Sequence, residues 1–570
     1  MPSLQKLKVI IIGAGEVGSN VAERLSEYNE IEVTLIERDY QRSLYVQNQI
    51  DCIHIYGSAL EPDVLREAGV STADLFYAVT DSDEVNLLAC QLAQAVLRRE
   101  MTQHPDMTAP QLSEDVVYEG FHTDLNRDAA DHSETPTGSE DLLDGLHLPA
   151  EERRACTPLR SRSESGHLTL FARMRSSSLY EHLKYQFPHT NILLPELACS
   201  RKLDELIHYQ QLFDVIELES DKLKLYGVKI HPRSAAVGQS LRQFTQDLKI
   251  TVAAIARPIE SSSLERSAEL DQQELKHHKM GRRRRQLLIP WADYEMRPHD
   301  AVYFAASPSS LAKLHRHFCA PDLSGHHPLV IAGENEVARD LFKRVVDEQV
   351  RIGDGEFADR NVSMIMQSEE SAEQVEMSDS DGEAFVCTGS LTEVSTLIEA
   401  GVGPQSTLLI CSHDEENLVC ALLARELKCE RILIVNNRAS YARLINQLGF
   451  DGIFSPRQLA VNEISRQTLK LFAKSAYNVS TGDDVEVRSF VVSEDSDLCG
   501  LHLSELQKAG FPREHAVIAA LIEQDSTTHV MPTGDDRLLQ GSTVYVVSRS
   551  SDFHRIKGLF GKRKSRFRLW

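Results

Sequence analysis

No stretch of this sequence approaches the ~20 consecutive apolar residues that cross a bilayer. The longest apolar runs, such as residues 9–12, are strand-sized, so a membrane-spanning class is excluded. Cysteine is sparse and scattered, ten residues with no Cys-x-x-Cys, which leaves no zinc-ribbon or thioredoxin-type motif. Cys411, Cys420 and Cys429 are nine apart, a spacing that suits no metal, and they read as buried thiols of a reducing compartment. His315-Arg316-His317-Phe318-Cys319 reads as a helix end, and no metal is expected. Positive charge is in deficit as well: Lys plus Arg is 61 against 85 Asp plus Glu, a net charge of -24. A surface that tracks phosphate backbones wants the opposite balance, so no nucleic acid partner is expected. No secretory leader is expected either, because residues 1–8 lead straight into an apolar strand and a glycine loop. No Ser-His-Asp, metal or lysine-nucleophile constellation stands out, and no catalytic residue is assigned.

What is present is a chain of 570 residues with 42% hydrophobic and 26% charged residues, ordinary for a globular protein. At roughly 150 residues per domain the length suggests about four domains. The first hundred residues alternate strand and helix. Strands are expected at 7–12, 31–36, 52–56 and 75–79, with helices at 19–28 and 62–68, and a further helix after the fourth strand running through residue 97. Such alternation implies a Rossmann-like, doubly wound parallel sheet with helices on both faces. Residues 101–166 break the pattern, with fourteen Asp or Glu against five Arg and no Lys. They read as a disordered insertion, too polar to offset their ordering entropy. Strands at 168–174 and 191–194 and a helix at 196–209 follow. From 223 the period shifts toward two, with strands at 223–230, 252–256 and 301–305 around a helix at 239–246. That is a small α+β lobe, interrupted by a polar insertion at 260–285. The insertion ends in Arg282-Arg283-Arg284-Arg285, read as a solvated loop tip.

After residue 326 the whole pattern starts again. Gly57-Ser58, Leu65 and Glu67-Ala68-Gly69-Val70 recur as Gly389-Ser390, Leu397 and Glu399-Ala400-Gly401-Val402. Asp83-Glu84-x-Asn86-Leu87 recurs as Asp414-Glu415-x-Asn417-Leu418, with one residue deleted before it. The small lobe repeats too: Gly238, Leu241, Pro290, Asp293, Val302 and Tyr303 correspond to Gly500, Leu503, Pro532, Asp535, Val544 and Tyr545. The expected organisation is a first nucleotide-fold domain at 1–210, a small domain at 211–322, a second nucleotide-fold domain at 327–475 and a second small domain at 476–560. A basic tail at 561–570 closes the chain. Its cations interleave with Phe567, Leu569 and Trp570, which suits either a headgroup-level contact or a solubilising tail.

Gly13-Ala14-Gly15-Glu16-Val17-Gly18 follows an apolar strand and opens a helix. In that setting Gly13 allows a tight turn, Gly15 lets backbone approach a pyrophosphate, and Gly18 lets helix pack on strand. Free amides at the helix start face the phosphates. Glu37 ends the second strand and can bond ribose hydroxyls, favouring NAD over NADP. Thr80 and Asp81 lie just past the fourth strand, where the ligand crevice of such folds runs. Arg173 ends a later strand and can reach a phosphate, stack on a base, or stand solvated. In the second copy the loop reads Gly333-Glu334-Asn335-Glu336-Val337-Ala338. Asn335 puts a side chain where backbone should meet phosphate, and Gln367 after the second strand lacks the carboxylate. That domain reads as mainly structural.

Taken together, the glycine loop, Gly57-Ser58 with Leu65-Arg66-Glu67-Ala68-Gly69, Ala78-Val79-Thr80-Asp81-Ser82-Asp83-Glu84-x-Asn86 and Ala172-Arg173 resemble the potassium-transport nucleotide-binding (RCK/KTN) domain family. The small lobes resemble its C-terminal partner domain. Two such pairs in tandem are similar to peripheral regulatory subunits of Trk-type potassium uptake systems. The resemblance implies binding of NAD(H), or of ATP or ADP at the same site, by Gly13 to Gly18, Glu37, Thr80, Asp81 and Arg173. It implies a homo-oligomeric ring on the cytoplasmic side of the inner membrane, gating a potassium-translocating membrane subunit. Ser58 departs from the Gly-Asp-Ala turn of many relatives. The alternative reading is an NAD-dependent oxidoreductase with a partly decayed duplicate.

Overall fold

The computed structural model describes residues 6–103, 168–258, 285–307, 327–352, 361–372, 385–473 and 476–560, together with 310–311 and 317–318. Breaks within these ranges fall at 184, 210, 220–222, 244–249, 289–292, 371, 474–475, 478–484, 495, 524–527, 530–531 and 550–551. The chain divides into two compact units. One comprises the described part of Met1–Leu194 with Glu463–Phe472, and the other Pro195–Asn462 with Ala473–Trp570.

In the first unit, β1 (Leu7–Ile12), β2 (Ile31–Glu37), β3 (Ile53–Tyr56), β4 (Leu75–Ala78), β5 (Thr169–Arg173) and β6 (Thr190–Leu193) form one sheet in the order 3-2-1-4-5-6. Every neighbouring pair is parallel. The strands are apolar on both faces because helices cover both. In α1 (Glu16–Ser26), Val17, Val21, Ala22 and Leu25 are buried, the 3–4 spacing of one helical stripe. The helix α2 (Tyr40–Gln47), between β2 and β3, went unread in the sequence. It buries only Ser43 and Val46, too thin a stripe to see. After α3 (Pro62–Glu67) comes α4 (Asp83–Gln103). Residues 101–103, assigned above to the insertion, thus complete a helix, and the remainder of that insertion lies outside the described residues. A short α5 (Ser177–Leu183) links β5 to β6.

The second unit opens with α6 (Pro195–Ile207). Then β7 (Leu212–Glu219), β8 (Leu223–Lys229), β9 (Thr251–Pro258), β10 (Arg285–Leu288) and β11 (Ala301–Ala306) make an antiparallel sheet in the order 10-9-11-8-7. Strand β7 was not expected. Arg285 opens β10 opposite Pro258, so that arginine belongs to a strand and not to a loop tip. Residues 259–284 lie outside the described residues. Of the helix expected at 239–246, residues 241–243 are helical and 244–246 are not described.

A second parallel sheet repeats the first: β12 (Leu329–Ala332), β13 (Val362–Met366), β14 (Phe385–Thr388), β15 (Thr407–Ile410), β16 (Arg431–Val435) and β17 (Gly452–Phe454), in the order 14-13-12-15-16-17. Its helices are α7 (Glu336–Ile352), α8 (Val394–Glu399), α9 (Asp414–Glu426), α10 (Ala439–Leu448) and α11 (Pro456–Ala473). A second antiparallel sheet, β18 (Ala476–Tyr477), β19 (Val485–Val491), β20 (Ala516–Ile522), β21 (Thr528–His529) and β22 (Thr543–Arg549), precedes α12 (Phe553–Phe560). The two small sheets are bulged at matching places, beside Ala253 and beside Ala519. They pack on each other through Leu225, Ala254, Tyr303, Val487, Ala520 and Tyr545, and the Tyr545 hydroxyl donates to the Leu218 carbonyl at 2.9 Å.

Helix α6 is fastened inside this unit at its middle and at its C-terminal end. The Ser200 hydroxyl bonds the Asp340 carboxylate of α7. Arg431, 5% exposed at the start of β16, donates to the Leu206 carbonyl at 2.9 Å and to the Leu212 carbonyl. A guanidinium there meets both the open carbonyls and the negative end of the helix dipole. Among the described residues, no helix is long and apolar enough to cross a membrane.

Candidate functional site

The reversal of strand order in the first sheet falls between β1 and β4. The carboxyl ends of strands at such a switch point make the ligand crevice of doubly wound folds. Every expected site residue lies on this edge. Gly13 follows β1, Glu37 ends β2, Thr80 and Asp81 follow β4, and Arg173 ends β5.

The three glycines do different work. Gly13 has φ +92, and a Cβ there would stand 2.9 Å from Thr80 Cγ2. Its bareness lets the loop after β4 close on the loop after β1. At Gly18 a Cβ would fall 1.9 Å from the Gly13 carbonyl oxygen, so only glycine permits this helix–strand approach. Nothing lies within 4 Å of a Cβ built on Gly15. Gly15 is the N-cap of α1, and no side chain caps it. An open approach and an uncapped positive helix end are what a phosphate uses. Val17 is 2% exposed and its side chain lies in the core, so only its backbone can serve a ligand. Glu16 is half-buried in the first turn.

Glu37 is 7% exposed. Its Oε2 accepts from the Ala14 amide at 2.7 Å and its Oε1 from the Asp39 amide at 2.8 Å. The carboxylate therefore ties the glycine loop to the end of β2. Each oxygen keeps a further lone pair that can accept from a ribose hydroxyl. Arg173 is 2% exposed, which removes the solvated alternative. Its Nη1 lies 3.7 Å from Asp81 Oδ1, and the Asp81 side chain is 65% exposed.

Sequence reading missed the residue that holds the crevice together. Asn86 is fully buried. Its Oδ1 accepts from the Thr80 amide at 2.8 Å and the Thr80 hydroxyl at 2.7 Å. Its Nδ2 donates to the Thr80 carbonyl at 3.1 Å and the Arg173 carbonyl at 2.8 Å. Asp83, also buried, accepts from the Arg175 and Ser176 amides. Together they clamp the turn after β4 to the end of β5. The signal was there, because the repeated Asp-x-x-Asn carries both.

The second parallel lobe keeps the clamp. Asn417 accepts from the Ser412 amide at 2.8 Å and donates to the Val435 carbonyl at 2.8 Å. Asp414 accepts from the Asn437 amide at 2.8 Å, and burial pushes its carboxyl above the usual range. These bonds align the lobes: Thr80 with Ser412, Arg173 with Val435. The Gly57 amide bonds the Glu37 carbonyl as the Gly389 amide bonds the Met366 carbonyl. The counterpart of Glu37 is therefore Met366, fully buried, and not Gln367. Strand β13 ends at Met366, as β2 ends at Glu37, so the residue after the strand is not the equivalent position. Asn335 uses its own Oδ1 to accept from the Ala338 amide at 3.0 Å. The helix end that Gly15 leaves open is closed here by the protein itself.

The described cysteines are buried or half-buried. Burial pushes the Cys199 and Cys420 thiols up to about 12, so they stay protonated and unreactive. Among the described residues no group of three or more His, Cys, Asp or Glu side chains could hold a metal ion.

The TrkA-N domain family matches this chain twice, at residues 9–102 and 329–456. A Trk system potassium uptake protein TrkA homolog 1 of Methanosarcina mazei is 23% identical over 555 residues, covering 97% of this chain and all of that one. A Trk system potassium uptake protein TrkA of Azorhizobium caulinodans is 21% identical over 564 residues, covering 97% and 98%. Among solved structures, the GsuK channel superposes with a TM-score of 0.50 at 14% identity, over 98% of this chain and 79% of that one, a likeness of fold. The TrkA-N model thus matches twice in tandem, once in each parallel-sheet lobe, and over nearly its whole length the chain is similar to proteins named TrkA.

Proposed function

We propose that this chain is a nucleotide-sensing regulatory subunit of a potassium uptake system. NAD(H), or ATP or ADP at the same site, binds the first parallel lobe and biases a membrane partner that conducts potassium. The observation that carries this reading is the open, uncapped start of α1 at Gly15. It is flanked by a ribose-competent carboxylate, Glu37, and a buried guanidinium, Arg173. In this reading the amides of Ala14 to Gly18 hold the pyrophosphate, Glu37 takes the ribose hydroxyls, and Thr80, Asp81 and Arg173 border the phosphates. The family match and the TrkA relatives support the assignment to potassium uptake.

The division into four domains at 1–210, 211–322, 327–475 and 476–560 belongs to the same proposal, as does a ring of several copies on the cytoplasmic side of the inner membrane. The protein is read as a binding protein and not as a catalyst. Calorimetry on the full chain with NADH, NAD, ATP and ADP tests the site, and micromolar or tighter binding of at least one is expected. A panel of small-molecule acceptors tests the class. Steady turnover of NADH with any of them would replace this reading by the oxidoreductase one. Co-purification from detergent-solubilised membranes tests the partner, which should be a multi-spanning potassium transporter.

A further inference from the structure

The contact between Asp81 and Arg173 is unusual in its asymmetry. Arg173 is buried to 2% exposure at the end of β5. Asp81 stands on the turn between β4 and α4 with 65% of its side chain in solvent. The residues around it are tied. Thr80 is held by Asn86, Ser82 bonds Glu84 at 2.7 Å, and Asp83 is buried on two amides. The Asp81 side chain takes no part in the Asn86 clamp.

The second lobe provides an independent observation. Val435 takes the place of Arg173, and the turn that holds Asp81 is one residue shorter: the amide bonded to the clamping asparagine lies six residues before Asn86 but five before Asn417. The cation and the anion-bearing turn are lost together. That is expected if the two charges act as one device, and not if Arg173 alone served the ligand.

We infer that Asp81 is the anion that occupies Arg173 when no nucleotide is bound, and that its charge selects against ligands with long phosphate chains. This rests on the reading that nucleotide binds the first lobe. A phosphate that approaches Arg173 must displace the Asp81 carboxylate or sit beside it. The repulsion grows with the charge of the ligand. Glu37 and Asp83 are already engaged by backbone amides, and exposed Glu84 adds a further carboxylate in the first turn of α4. A pyrophosphate diester, as in NADH, suffers less than a terminal triphosphate. Asp81 is thus a specificity-determining residue of the site.

Calorimetry with NADH, ADP and ATP on the full chain tests this, using the native protein, Asp81→Asn, Arg173→Gln and the double variant. Thermal unfolding of each checks folding. Asp81→Asn should bind ATP about tenfold tighter, a change of about 1.4 kcal/mol, with ADP gaining less and NADH least. In the Arg173→Gln background the same change should bring less than half of that ATP gain. If Arg173→Gln unfolds, the ratio of ATP gain to NADH gain in Asp81→Asn alone decides. Equal gains for all three ligands, or a loss of NADH binding, would overturn the inference, the second by making Asp81 a direct contact. If no nucleotide binds even the native chain, the reading of the site itself falls, a separate and distinguishable failure.

Discussion

In the first parallel lobe the helix after the glycine loop starts at Gly15 with no side-chain cap. In the second it starts after Asn335, whose amide oxygen caps it. The same contrast recurs around the crevice, where Glu37 faces Met366 and Arg173 faces Val435 in the alignment of the lobes. Yet Asn86 and Asn417 make matching clamps. Gly57 and Gly389 both lie against the next helix, where a Cβ would stand 2.7 Å from Val64 and 2.6 Å from Thr396. The duplication thus sorts residues into two kinds. Those that hold the strand ends together are kept in both lobes. Those proposed to face a ligand are kept in one. A single chain supplies the internal control that tells a ligand-facing group from a framework group.

The contrast can be broken first at the clamp. Asn86→Ala and Asn417→Ala each strand several buried backbone groups, and each should cost about 2–4 kcal/mol of stability. Denaturant unfolding should show comparable losses, but only Asn86→Ala should weaken nucleotide binding. An effect of Asn417→Ala on binding would move a site into the second lobe. Next is the helix start. Gly15→Asn transplants the second lobe's cap and should lower NADH affinity about tenfold, or about 1.4 kcal/mol. Unchanged calorimetry there would mean that phosphates do not use this helix end. Smaller still is a pH effect at Asp414, whose carboxyl is raised mainly by desolvation. Between its unfolded and folded pKa values the native state binds more protons than the unfolded state. Stability from this group is therefore lost as pH rises through that window. Asp414→Asn should remove that decline, read as the unfolding midpoint as pH rises from about 4, the ordinary aspartate value. Smallest is Asn335→Gly, which should cost a few tenths of a kcal/mol and leave nucleotide affinity unchanged. A gain of binding would show that the cap alone silences the second lobe.

Much of this was legible because it is local. The strand–glycine–helix order around Gly13 to Gly18 and the repeat at Gly57 and Gly389 are patterns within a few residues. The edge strand β7 and the helix α2 were not seen. In α2 only two residues are buried, and its Tyr40 and Tyr45 stay exposed, so its periodicity is faint. The pairing of Glu37 with Met366 needed the ladder, since one residue of strand length moves a side chain to the other face. The role of Asn86 was hidden by distance, because it bonds a carbonyl 87 residues away. Arg173 showed its position in sequence but not its burial, which depends on the strands around it.

The segment Glu463–Phe472 belongs to the same compact unit as the N-terminal lobe. Within that unit the Tyr77 hydroxyl meets the Thr468 hydroxyl at 2.9 Å, across 391 residues of sequence. A ribosome adds ~5–20 residues per second, so Tyr77 emerges roughly 20–80 s before Thr468 exists. The first lobe must therefore persist through most of synthesis without a piece of its own core, and closing so long a loop is slow. Completion of the nucleotide-fold lobe is coupled to the birth of the second half of the chain, and a fragment ending before residue 463 should be more protease-sensitive around β4 than the full-length protein.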